Sequence, residues 1–357
     1  MKVKIRTLTP LWTGGVDGTM DRIHETGIIG SLRWWYEAIV RGLGGSACEG
    51  PKGKKCELTG QRLKRFHRLR QSGMDWWEAL DEVGICDVCK VFGTTGWKRR
   101  FQIQVIDTGM HSINVYKKVT LRERQYTDKN GKERTPQWYS PNSPKGGDFA
   151  ICIKSIPPTF NPQIIAGLIW FISTWTALGA RAQMGFGVIQ TAENVNIQPL
   201  CEHLSNISGN HKYHHLPSLS NIFLAKIQPQ SGYSFKDKDT FMLKYDLRQL
   251  FSDHKAIRHF VMGTTENHKL AAKIKISRPY DNEIRVWGWI PEKSDVYDQI
   301  WDREKILQTI YKHLKTSYKL IVWREMNSPR DTVRPNLSDA KAFFKSLLNC
   351  GEQSNEA

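Results

Sequence analysis

Cys86 and Cys89 are two residues apart, the spacing of a metal-binding knuckle, and a second pair, Cys48 and Cys56, lies upstream. Four thiolates are the donor set of a closed tetrahedral zinc site, which would order a segment with few core residues of its own. The gap from Cys48 to Cys56 is wider than in most such pairs, with His67 as a substitute ligand, so four reduced thiols in a loop remain the other reading. Cys152 falls on a strand, while Cys201 and Cys350 stand alone as incidental thiols. Seven cysteines, unevenly placed, argue for a reducing cytoplasm and against a disulfide framework.

The turn from Leu178 to Val188 (LGARAQMGFGV) carries Gly179, Gly185 and Gly187. Glycines allow a left-handed backbone and let N–H groups approach a ligand closely. Arg181 has the fork that pairs with phosphate, Gln183 can bond a base or ribose, and Phe186 can stack on a base. No Gly-Lys-Ser/Thr follows, so this is not a P-loop; the plain alternative is a helix cap and a tight turn. In the segment IIGSLRWWYEAIVRG, Arg33, Glu37 and Arg41 recur at i, i+4 and i+8. They form two intrahelical ion pairs, or Arg33 meets a phosphate at the helix start. Trp34 and Trp35 cannot both face one core, so one lies at an edge where it can stack. The loop from Gly14 to Gly27 holds Asp17, Asp21, His24 and Glu25. A nuclease would use a carboxylate such as Asp17 to take a 2′-hydroxyl proton, with His24 assisting. Solvated carboxylates in a polar loop are the favoured reading.

The surroundings of these residues are basic. The 357 residues include 52 Lys+Arg against 35 Asp+Glu, a net charge of +17, and thirteen tryptophans. Phosphate attracts such charge and bases stack on rings, so nucleic acid is the first partner class. The runs Arg62-Lys64-Arg65-Arg68-Arg70, Lys98-Arg99-Arg100, and Lys117-Lys118 with Arg122 and Arg124 suit sequence-independent phosphate contacts. A hydrophobic fraction of 39% excludes wholesale disorder. No apolar run is long enough for a membrane span, and the first residues lack the apolar core of a signal peptide, so no membrane partner is expected.

The elements that must position these groups follow from periodicity. Residues 1–9 alternate as a strand, and Ile28, Leu32, Trp35, Ile39 and Leu43 mark one helix face. Residues 46–100 read as an irregular, basic, cysteine-bearing insertion. Strands are predicted over 101–107, 149–156 and 187–191, an exposed loop over 122–147, and a helix opened by Asn161-Pro162. The order βαββαβ is that of a ferredoxin-like, RRM-type domain. A His-rich segment, 203–221, reads as a linker. The pattern then returns: strand 222–228, helix 253–262, strands 271–277 and 284–290, helix 298–316, strand 318–324 and a last helix, 338–348. The predicted class is α+β: two tandem ferredoxin-like domains, 1–202 with an insertion at about 46–100, and 222–350, followed by a tail, 351–357.

Four pieces occur in order: Thr9–Gly15 (TPLWTGG), Ile28–Trp35 (IIGSLRWW), Cys89–Gly93 (CKVFG) and Gly179–Gly187 (GARAQMGFG). Together they resemble the RAMP superfamily of CRISPR proteins, and most of all the first subunit of the type III-B (Cmr) effector complex. The resemblance covers the first 190 residues; the second half carries no matching motif. It implies a cytoplasmic, prokaryotic antiviral assembly whose partners are a guide RNA, a target RNA and other RAMP subunits. It further implies capture of target RNA near the guide 3′ end by the glycine loop and the start of the first helix, here Arg33, Trp34, Arg181 and Gln183. Related backbone subunits cut RNA with an aspartate in the loop after the first strand, where Asp17 lies, but the subunit type resembled here is a non-cleaving one. The expected RNA contacts are Arg22, Arg33, Trp34, Lys98, Arg99, Arg100, Arg181, Gln183 and Phe186. An endoribonuclease of the same superfamily and an unrelated zinc-stabilised nucleic-acid module are the competing readings.

Overall fold

The computed structural model describes residues 1–350 apart from 16–18, 51, 52, 54, 129, 141, 142, 159, 193 and 266–268. Asp17 and the tail therefore lie outside the described residues.

β1 (Lys2–Thr7) buries Val3 and Ile5 and exposes the lysines between them, as its alternation predicts. α1 (Glu25–Gly42) follows and buries Ile28, Leu32, Trp35 and Ile39 along the predicted face. The insertion is not irregular. It folds into α2 (Gly60–Gln71), α3 (Trp76–Glu82) and α4 (Asp87–Phe92). Asp75 caps α3 by accepting from the Trp77 amide, and Leu80, Val83, Ile85, Val88 and Val91 bury against the main core. β2 (Phe101–Asp107) and β3 (Asp148–Ser155) pair antiparallel. The exposed loop between them doubles back through short ladders such as Lys118–Thr120 with Gln137–Tyr139. α5 (Gln163–Trp175) and β4 (Ile189–Thr191) complete a sheet ordered β4-β1-β3-β2.

After α6 (Gln198–Ser205) come β5 (Ile222–Gln228), α7 (Asp239–Gln249), α8 (Lys255–Met262), β6 (Ile274–Ile276), β7 (Ile284–Trp289), α9 (Arg303–Ser317), β8 (Lys319–Arg324) and α10 (Ala340–Leu348). The second sheet is ordered β6-β7-β5-β8, and its neighbours are also antiparallel. Counted within each half, both sheets place their strands in the same order, so the repeat of pattern seen in the sequence is also a repeat of topology. α7 has no counterpart in the sequence reading. Ile300, inside the predicted helix 298–316, lies ahead of α9 and is exposed.

The segment between the halves is packed and is no free tether. Leu204, Ile207 and Leu219 are buried, and Leu219 lies so close to α1 that a side chain at Gly42 would collide with it. α10 follows the second sheet in sequence, yet Phe343, Phe344, Leu347 and Leu348 join the core of the first half. The expectation of incidental thiols fails for one pair: Cys201 in α6 and Cys350 after α10 are joined by a disulfide, because α10 returns to α6. Among the described residues no helix is long and apolar enough to cross a membrane.

Candidate nucleic-acid interface and metal centre

The four insertion cysteines converge. The sulfurs of Cys48, Cys56, Cys86 and Cys89 all lie within 4.8 Å of one another. Cys86 opens α4, and its amide donates to the Cys56 sulfur at 3.3 Å. The Cys48 sulfur lies 3.8 Å from that of Cys86 and 3.5 Å from that of Cys89. The neighbouring sulfurs, Cys56 first, drive the Cys48 thiol down, whereas Cys48 and its neighbours push Cys86 up. Such a group can hold a metal ion, with four sulfurs as the donor set. His67 is not part of it.

Arg33 lies beside this centre. Its guanidinium donates to Glu37 at 2.9 Å, to the Gly93 carbonyl at 3.2 Å and to the Cys89 sulfur at 3.4 Å. Glu37 also accepts from buried Arg41 at 3.0 Å, so the i, i+4, i+8 pattern is a pair of intrahelical ion pairs.

The glycine turn has a different purpose from the one its composition suggested. Gly179, Gly185 and Gly187 have φ of +85°, +80° and +93°. A Cβ would stand 2.6 Å from the Trp12 carbonyl oxygen at Gly179, 2.6 Å from the Arg278 nitrogen at Gly185, and 2.1 Å from the Leu178 oxygen at Gly187. The close approach is to the protein's own backbone. Phe186 is fully buried, with the Arg278 guanidinium 5.0 Å from its ring centre, so it is not available to stack on a base. Arg181 is exposed in the left-handed region, and its side chain has no partner among the described residues. Ser31 fixes the turn to α1: its hydroxyl donates to the Gly179 carbonyl and accepts from the Gly179 amide.

Between this junction and the second sheet runs a cleft of about 550 Å³. α1 supplies Gly30, Ser31 and Trp34, and Lys273 just ahead of β6, Lys275 of β6 and Trp289 of β7 lie across from them. Trp34 is the edge tryptophan of its pair, 36% exposed, while Trp35 is 4% exposed in the core. The register sets Lys275 opposite Trp287, so lysines and tryptophans share one face of the sheet. Lys244 of α7 reaches the Gln183 carbonyl at 2.7 Å. Burial lowers the pKa of Lys244, Lys273 and Lys275 to about 8 each, and Lys275 depresses the other two further. None of the three is ion-paired to a carboxylate among the described residues. Lys273 and Lys275, whose ammonium groups also donate to the Phe260 and Ala272 carbonyls, stand beside Trp34 and Trp289 in the cleft, an arrangement that suits an anion with flat rings. The sequence reading missed these residues, although the alternation Lys273-Ile-Lys275-Ile already puts both lysines on one strand face.

The other expected contacts scatter. Arg100 is buried, its guanidinium 4.0 Å from the Trp97 ring centre and bonded to the Lys98 and Pro157 carbonyls, so it cannot meet a phosphate. Arg99 donates to the Phe101 carbonyl, and Lys98 is exposed. Arg22 pairs with Glu25 at 3.0 Å in solvent. His24 precedes α1 and shares a 2.7 Å hydrogen bond with Asp21.

Two antiparallel sheets packed through a shared core, with a basic, tryptophan-walled cleft between them, make this a mixed chain of helices and antiparallel sheets. The model of the RAMP superfamily matches residues 4–190, more than half of the sequence, and the chain belongs to that superfamily. No curated protein matches it significantly. Similar solved structures include Cmr1 from Pyrococcus furiosus in its apo form, at 14% identity and TM-score 0.43, covering 88% of this chain and 96% of that one. Two chains from cryo-EM structures of the Type III-B Cmr-beta bound to cognate target RNA are 11% identical. The one that also holds AMPPnP, in the presence of ssDNA, covers 88% of this chain and 99% of that one at TM-score 0.41. The other covers 87% and 99% at 0.38.

Proposed function

We propose that this RAMP protein is an RNA-binding, non-cleaving subunit of a type III-B CRISPR effector complex, where it holds target RNA beside the guide RNA and other RAMP subunits. The observation that carries the RNA reading is the cleft, in which Lys273 and Lys275 stand without a paired carboxylate beside Trp34 and Trp289. Unpaired bases stack on the indoles while the ammonium groups meet phosphate, and Arg181 stands free to add a further contact. Pairing with the guide, and not the side chains, supplies sequence specificity. The placement in a type III-B assembly rests on the four sequence motifs within a chain of the superfamily.

The two sheets, in residues 1–202 and 222–350, are read as tandem ferredoxin-like units, supported by their shared strand order. The four cysteines hold a structural zinc that fixes the insertion to α1, with Arg33 offsetting the charge of the thiolates.

The test is RNA affinity of Lys273→Ala/Lys275→Ala and of Arg181→Ala against the unaltered chain. Weakened but measurable binding in the double variant with unaltered melting supports the cleft, and unchanged affinity sinks it. The endoribonuclease alternative makes the opposite demand: cutting of target RNA that Asp17→Ala or His24→Ala abolishes while binding stays intact.

A further inference from the structure

Helix α2 takes no part in the cleft. Its twelve residues include Arg62, Lys64, Arg65, Arg68 and Arg70 and no acid. One narrow strip, Leu63, Phe66 and Leu69, holds it down; Phe66 is buried and meets Trp97 edge to face at 5.5 Å. A helix fastened this way leaves most of its circumference in water.

The inner flanks are engaged. Arg62 donates to the Glu57 carbonyl, Arg70 to the Met74 carbonyl, and Arg65 pairs with Glu82 of α3 at 2.6 Å. The outer face is not. Lys64 and Arg68, one turn apart, are both exposed, and neither side chain has a partner among the described residues. Like charges at i, i+4 repel. Of the acids on neighbouring α3, Asp81 is paired to Lys90 and Glu82 to Arg65, while Glu78 is exposed in the first turn.

We infer that the outer face of α2, with Lys64 and Arg68, is a second surface for the phosphate backbone of single-stranded RNA, separate from the cleft. This rests on the RNA-binding reading above. The outer face carries no aromatic or aliphatic anchor, and charged residues are depleted at the centres of protein interfaces, so the surface suits a polyanion better than a protein. It supplies affinity and salt dependence without reading bases.

The experiment titrates a fluorescent single-stranded RNA of mixed sequence with the full chain over a series of salt concentrations. Each phosphate contact contributes about 0.7 to the slope of log affinity against log salt. Lys64→Gln/Arg68→Gln therefore flattens the slope by about 1.4 and lowers low-salt affinity roughly tenfold. The swap Lys64→Arg/Arg68→Lys keeps the wild-type line, and the flattening recurs in the Lys273→Ala/Lys275→Ala background, since distant sites add. Parallel salt lines for the wild type and the Gln variant overturn the α2 surface while leaving the cleft intact. Parallel lines together with loss of co-purifying subunits overturn it too, and assign the face to a protein neighbour. A wild-type chain that binds no RNA at any salt removes the RNA reading itself, which the wild-type line alone reveals.

Discussion

Lys273 and Lys275 carry a charge that ordinary pH changes can remove. Burial brings their pKa, with that of Lys244, from an ordinary 10.5 down to about 8. RNA binding needs the charged form, so affinity is full near neutrality and falls as pH rises through about 8. Stability of the RNA-free chain runs the other way. Between about 8 and 10.5 the unfolded chain binds more protons than the folded one, so these lysines make stability rise with pH across that window. RNA titrations and thermal melts at matched pH check both slopes, and Lys273→Gln/Lys275→Gln should flatten both. A second prediction at this scale concerns sulfur. If the four converging thiolates hold the proposed zinc, the purified chain should carry about one equivalent of it. Cys86→Ser should lose it, and chelation should lower the melting temperature by releasing the insertion. Four thiols that react freely without a chelator would count against the metal centre.

At the level of elements, two glycines of the same cleft region are predicted to respond oppositely to a methyl group. Gly30 sits inside α1, its missing Cβ faces open space, and it lines the cleft. Gly30→Ala should stabilise the chain by about 0.5–1 kcal/mol through helix propensity, and should weaken RNA binding by narrowing the cleft. Gly185 is left-handed, and its Cβ would meet the Arg278 backbone at 2.6 Å. Gly185→Ala should cost about 2 kcal/mol and loosen the turn from the second sheet, where the Arg278 amide now donates to the Gly185 carbonyl at 2.9 Å. Denaturant unfolding beside RNA titration separates the two effects. A Gly30→Ala chain that is more stable and binds RNA as before would argue that the ligand does not reach the floor of the cleft.

For the whole molecule, α10 is the strap between the halves. Trp175 of α5 donates to the Leu347 carbonyl at 2.9 Å, and Arg324 at the end of β8 donates to the Ser346 hydroxyl at 2.6 Å. Behind that junction lies a buried ion network. Arg324 pairs with Asp331 at 3.0 Å, and Arg330 pairs with Glu325 at 2.8 Å and with Glu304 of α9. Glu325 and Asp331 are each 1% exposed. Glu325→Gln would leave Arg330 facing one carboxylate in place of two, and breaking a buried pair costs about 3 kcal/mol. Because α10 joins both cores, the loss should appear in one cooperative unfolding transition that includes the first half. A separate early transition, with the cleft still able to bind RNA, would show that the halves unfold independently.

Local periodicity lay open in the sequence: β1, α1, β2, β3, α5, β5, α9 and β8 fall within a few residues of their predicted places, because side-chain alternation and helical spacing are written residue by residue. The short spacing of Cys86 and Cys89 pointed to a knuckle, and convergence with Cys48 and Cys56 follows once three helices fold the insertion. Short or mixed elements such as α7 and α2–α4 were hidden because their apolar stripes are narrow or broken. What only tertiary structure decided is everything that needs the two halves together. Phe186 turns inward under Arg278 of the second half, and Cys201 meets Cys350 across 149 residues of chain. The lysines of the cleft become a site only when β6 is laid against α1. Composition records that a chain is basic, but charge acquires a location only when packing removes the water and the counter-charges around it.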